Sequence, residues 1–183
     1  MRAFVAIRPG IAAVEALVEI QRDLNVGRCM PEENFHVTLA FLDYQPVHAL
    51  EALHDAVSEI YMRNIDLIFS GVEARGGRKP ALIWASVEPN EQIQRLQARI
   101  RNAAHKAGIE LPRRRFRPHV TLSRLSRTAP VDMDRLREWL AQNASFRTGP
   151  FEAESVCLYQ SRLTPDGALY EILAEYPLHP FRQ

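Results

Sequence analysis

The chain has 183 residues, 46% of them hydrophobic, and a formal net charge of +1; that length supports one substantial core or two small lobes sharing an interface. No run approaches the roughly 18 consecutive apolar residues of a membrane span, and MRAFVAIRPG lacks the apolar centre of a signal peptide, so a cytoplasmic protein with no membrane partner is expected. Near-neutral charge excludes a broadly basic nucleic-acid coat. Cys29 and Cys157, far apart and without CxxC or Cys/His ligand spacing, indicate neither a disulfide framework nor a zinc site and read as partly buried thiols.

RAFVAIRP (2–9) alternates as a strand and leads into IAAVEALVEIQRDL (11–24), a helix with Val14, Leu17, Val18 and Leu24 on one face. FHVTLAFLDY (35–44) reads as a second strand, Pro46 starts a helix through 49–64, and IDLIFSGVEAR (65–75) returns to a strand pattern. The turn-rich GGRKP (76–80) then opens the strand ALIWASVE (81–88). From Pro89 the outline repeats: a charged helix ending at Gly108, a basic loop, the strand PHVTLSRL (118–125), a helix over 133–144, and strands near 151–163 and 168–178 around a TPDG turn. Two similar halves with no low-complexity linker predict one bilobal α+β domain over residues 1–183. Its pseudo-symmetric lobes are expected to hold two mainly antiparallel sheets with flanking helices and a cleft between them.

The letters HVTL occur in both halves. Strand alternation puts His36 and Thr38 on one face and Val37 and Leu39 on the other, and treats His119 and Thr121 likewise against Val120 and Leu122. Packing alone needs only the valine and leucine, so repetition of the polar face points to chemistry. Two opposed imidazoles suit in-line displacement at phosphorus, where the entering and leaving oxygens lie on opposite sides of the atom. Histidine, with an ordinary pKa of about 6.5, can be neutral in one position and charged in the other. The threonine hydroxyls can donate to the non-bridging oxygens.

These paired motifs resemble the 2H phosphoesterases, named for two H-x-[ST]-x motifs. PEENF before the first motif, GGRKPALIW, FRP before the second and LYQSRLTPDGALYEIL resemble one branch: the RNA 2',3'-cyclic phosphodiesterases once called 2'-5' RNA ligases. The resemblance covers nearly the whole chain. It implies a bilobal fold, no metal or other cofactor, and hydrolysis of a 2',3'-cyclic phosphate to a 2'-phosphomonoester, with 2'-5' joining as the possible reverse. Carried across, His36 resembles the proton donor to the departing 3'-oxygen and His119 the base that activates water, with Thr38 and Thr121 on the phosphate. The first motif strand ends LDY, where relatives usually place a glycine after the leucine.

Between Arg101 and Arg127 stand Arg101, Lys106, Arg113, Arg114, Arg115, Arg117, Arg124 and Arg127 against Glu110 alone, a stretch that can meet phosphate. Arg124, five residues after His119, would face away on a regular strand; the family resemblance aims it at the phosphate. Arg113 to Arg115 and Arg117 fit a solvated turn as well as an RNA contact. Phe41, Phe116 and Tyr159 are candidates for stacking on a base, and equally for packing. His48, His54, His105 and His179 lack partners at metal-ligand spacing and read as surface or structural, and Trp84 and Trp139 as core. No P-loop, Rossmann glycine pattern or nucleophile elbow is present. The expected partners are RNA ends or 2',3'-cyclic nucleotides, with tRNA fragments among the possible RNAs, and a monomer is expected because one chain supplies both motifs. Two other readings stay open: a module that grips an RNA end without turnover, and a phosphodiesterase for another cyclic or 2'-5' linked phosphate.

Overall fold

Apolar runs bounded by turn residues become strands and amphipathic stretches become helices in both halves. A computed structural model describes residues 1–77, 79–126, 128, 130–164 and 167–179. In chain order it contains β1 (Arg2–Pro9), α1 (Ile11–Gln21), β2 (Arg28–Cys29), a 3-10 turn (Glu32–Asn34), β3 (Val37–Tyr44), α2 (Val47–Ser58) and β4 (Asp66–Arg75). There follow β5 (Leu82–Val87), α3 (Glu91–Lys106), β6 (His119–Arg124), α4 (Met133–Gln142), β7 (Arg147–Thr164) and β8 (Gly167–Pro177). The α+β class and the repeated order of elements are as the sequence indicates. Arg78 of GGRKP, Arg127 of the basic stretch and Pro165 and Asp166 of the TPDG turn lie outside the described residues.

The two sheets expected from the sequence are joined into one. Its order is β1-β3-β6-β5-β4-β7-β8, with β2 alongside β6. β7 also pairs with β1, so the first six strands of that order close on themselves. The long β7 makes this possible: its first part pairs with β4 from Arg147 to Glu152, and its second with β1 from Ala153 to Gln160. The motif strands meet at one backbone pairing, Val37 with Val120, and that antiparallel register sets His36 toward Thr121 and Thr38 toward His119.

Helices cover the opposite, apolar face. α1 buries Ala13, Leu17 and Ile20 against β7, and α3 buries Ile93, Leu96, Ile100, Ala103 and Ala104 against β3 and α2; each fully buried Leu or Ile contributes about 1.5–3 kcal/mol. α1 ends earlier than the sequence suggests, so Leu24 is buried beyond the helix, while Val14 and Val18 flank its buried stripe. α2 likewise stops at Ser58, short of Asn64. Asn90 and Asp132 cap α3 and α4 with side chains that accept from the backbone N–H three residues on. Cys157 is buried, but Cys29 is exposed on the two-residue β2, which sequence periodicity is too short to reveal.

Candidate active site

Each motif histidine is held by the backbone just before it. Pro31 opens the 3-10 turn that places the Asn34 carbonyl 2.7 Å from His36 Nδ1. The Arg117 carbonyl lies 2.8 Å from His119 Nδ1, and the following Pro118 favours an extended Arg117. A carbonyl only accepts, so each Nδ1 carries the hydrogen and each Nε2 is the atom that can exchange a proton.

Both motif strands then carry an extra residue. In β6, Thr121 pairs with Trp84 and Ser123 with Ile83, which leaves Leu122 as a bulge; in β3, Thr38 pairs with Ala6 and Ala40 with Val5, which leaves Leu39. Each bulge sits three residues after its histidine and resets the alternation of faces. Arg124, which a regular strand would turn away, therefore returns to the face of His119 and Thr121. Phe41, five residues after His36, returns in the same way. The freed carbonyls are met from two helices and the segment after β2: Gln21 Nε2 of α1 and the Met30 N–H each donate to Leu122 at 2.8 Å, and Gln97 Nε2 of α3 donates to Leu39 at 3.4 Å. A further irregularity follows Phe41, where Asp43 takes a left-handed φ of 58°. Aspartate tolerates this better than most residues, so the LDY ending keeps the turn without a glycine.

Aromatic rings back both imidazoles. Phe4 lies 4.7 Å from His36 and Tyr170 meets it edge-on at 5.2 Å, while Tyr159 stacks on Phe4 at 4.9 Å. Trp84 stacks on His119 with centroids 3.9 Å apart, and the Arg75 guanidinium lies over the same indole at 4.9 Å. Burial lowers the pKa of His36 to about 4, with the charge of Arg124, and of His119 whenever that ring is protonated, adding to the effect against the Asn34 hydrogen bond. Burial also lowers His119, helped by Arg75 and opposed by the Arg117 carbonyl and Glu73.

A cavity of about 400 Å³ brings His36, Thr38, Phe41 and Arg124 together against the end of β7 and the start of β8, where Asn34 Nδ2 donates to the Ala168 carbonyl. Phe41 is 42% exposed there and carries the Arg2 guanidinium 4.9 Å above its ring. Tyr159 does not reach the rim: it is buried behind Phe4. Phe116 turns inward against the core, while Arg113, Arg114, Arg115 and Arg117 are exposed on the loop before β6. His48, His54, His105 and His179 are exposed; His54 meets the Tyr176 hydroxyl and His179 stacks on Tyr61. Trp139 is a core residue, but Trp84, although buried, belongs to the site. Phe4, Trp84, Tyr170, Gln21 and Gln97 were not singled out for the site by sequence, because only strand pairing brings them to the motifs.

Residues 10–164 match the model of the 2'-5' RNA ligase superfamily, and the chain belongs to that superfamily. An RNA 2',3'-cyclic phosphodiesterase of Aquifex aeolicus is 26% identical over an alignment of 193 residues that covers 97% of each chain. A protein of the same name from Methanocaldococcus jannaschii is 24% identical over 181, covering 96% of this chain and all of that one. One from Geobacillus stearothermophilus is 29% identical over 153, which is 80% of this chain and 46% of that protein's length. Among solved structures, a Thermus thermophilus protein superimposes over the full length of both chains with a TM-score of 0.79 at 22% identity. Escherichia coli LigT, solved with 3'-AMP, does so over 97% of each with 0.75 at 22%. These two share the fold.

Proposed function

We propose that the chain hydrolyses 2',3'-cyclic phosphates at RNA ends or on nucleotides to 2'-phosphomonoesters, by acid–base catalysis between His36 and His119 and without a metal. The observation that carries this reading is the pair of imidazoles, each fixed at Nδ1 by a carbonyl, on two strands joined at Val37 and Val120. The names of the curated relatives support the substrate class.

In the proposed reaction, Thr38, Thr121 and Arg124 hold the non-bridging oxygens, where charge grows in the transition state. His119 takes a proton from water as its oxygen bonds to phosphorus. The bond to the 3'-oxygen breaks on the opposite side, and His36 protonates that oxygen. Before substrate binds, burial and Arg124 disfavour a proton on His36; in the complex the negative charge of the phosphate offsets Arg124 and favours uptake of a proton from solvent at His36 Nε2. With a 5'-hydroxyl in place of water as the nucleophile, the same steps in the same direction join RNA through a 2'-5' linkage.

The test is incubation with a 2',3'-cyclic nucleotide in excess chelator, with separation of 2'- from 3'-phosphate products. The 2'-phosphate is expected from the unmodified chain, with kcat/KM at least about 100-fold lower in His36→Ala and in His119→Ala. Full activity in either variant would reject the mechanism. Binding of the cyclic nucleotide without turnover would make the chain a module that grips RNA ends.

A further inference from the structure

Beyond His119 the cleft face continues into a second, basic groove. Pairing across β6, β5 and β4 fixes what shares that face: Ser86 stands opposite His119, Trp84 opposite Thr121, and Glu73 opposite Trp84 on the next strand out. Arg75 lies two residues after Glu73 on the same face, bound to Glu73 at 2.8 Å, and Ser86 Oγ donates to Glu73 at 3.1 Å. The loop before β6 forms the facing wall, and the space between is about 350 Å³. Arg115 and Arg117 point out from that loop, exposed and in no ion pair among the described residues, while Phe116 between them is half-buried.

We infer that this groove is a subsite for an RNA strand, the one whose 5'-oxygen is exchanged at phosphorus. The inference rests on the proposed function, in which His36 and His119 act on opposite sides of the phosphorus. The nucleoside bearing the cyclic phosphate has its own cavity on the His36 side, with Phe41 and Arg2. An oxygen that enters or leaves in line with the 3'-oxygen lies on the His119 side, so any strand attached to it runs past Trp84 toward Arg115 and Arg117. Water needs no such groove. Unpaired arginines beside an aromatic wall match a ribose-phosphate chain, whose affinity comes largely from its phosphates.

The step that would use it is transesterification of a 2'-5' linkage. The adjacent 3'-hydroxyl gives its proton to His36 and bonds to phosphorus. The bond from phosphorus to the 5'-oxygen breaks, and His119 protonates that oxygen. The products are a 2',3'-cyclic phosphate and a 5'-hydroxyl strand, and the reverse is joining.

The experiment compares the unmodified chain with Arg115→Ala/Arg117→Ala on two substrates, a 2',3'-cyclic mononucleotide and a short RNA with one 2'-5' linkage. The ratio of kcat/KM for the RNA to that for the mononucleotide is expected to fall about ten-fold. The dependence of log kcat/KM for the RNA on log salt should flatten by about 1.4, at about 0.7 per contact to a single strand. A thermal melt checks folding, and Arg115→Glu alone replaces a double variant that melts early. An unchanged ratio overturns the subsite, as does an unmodified chain that opens the cyclic mononucleotide but neither cleaves nor joins 2'-5' RNA. Those results leave the hydrolytic reading standing; inertness toward the mononucleotide would remove that reading and the subsite with it.

Discussion

His36 is pulled two ways, by burial and neighbouring cations against its proton and by the Asn34 carbonyl for it, and burial wins. The sign of the consequence follows from linkage. With a folded pKa of about 4 against 6.5, the unfolded chain binds more protons between those values, so stability rises with pH across that window and falls as pH drops from 6.5 toward 4. The full shift corresponds to about 3 kcal/mol at 1.36 kcal/mol per unit, and a ring half-open to the cleft reduces this to about 2. Melting curves of the unmodified chain should therefore lose more between pH 7 and 4.5 than those of His36→Phe, which lacks the titrating group. A phosphate monoester bound in the cleft raises the folded pKa and should narrow the difference. Equal acid sensitivity of the two proteins would show that His36 titrates as it does in the unfolded chain.

The paired bulges show how an element can aim a side chain that plain strand alternation would misplace. His36 and His119 were legible because HVTL repeats, whereas Arg124 in the cleft was expected from the family resemblance alone, because alternation places an i+5 residue on the opposite face. The extra residue that corrects this has no signature of its own; Leu39 and Leu122 are ordinary strand leucines. Their bracing crosses between the halves: α1, from the first, supplies Gln21 to β6, while α3, from the second, supplies Gln97 to β3. Gln21→Leu removes one donor to the Leu122 carbonyl and is expected to cost about 1 kcal/mol of stability. It should also lower kcat/KM several-fold by loosening Arg124. In a double-mutant cycle with Arg124→Ala that kinetic loss should vanish, because both changes act through one group. Additive kinetic losses would mean that Gln21 supports folding without positioning Arg124.

The repeated order of strand and helix made the two halves readable, yet their union in one closed ring of strands was not, since it depends on β7 serving both. The sequence marks only 151–163 as a strand there, and the pairing with β4 starts at Arg147. The consequence is an asymmetric join: β7 ties the halves along its length and β5 pairs with β6 from Leu82 to Ser86, while the two motif strands, β3 and β6, meet each other at one pairing, Val37 with Val120. Thr38 and Thr121 stand on opposite sides of that join, so a phosphate gripped by both acts as a second tie. A ligand at 100 times its Kd adds about 2.7 kcal/mol to the folded state, roughly a 100-fold slowing of any opening that releases it. Hydrogen exchange at Val37–Leu39 and Val120–Leu122 should slow by up to that factor with a bound phosphate monoester. Amides of α2, which lines neither the cavity nor the groove, should change little. In Thr38→Val/Thr121→Val the slowing at the join should disappear at the same ligand concentration, because the hydroxyls that would span it are gone. Slowing spread evenly over both regions would place the ligand's effect in global unfolding and not at the join.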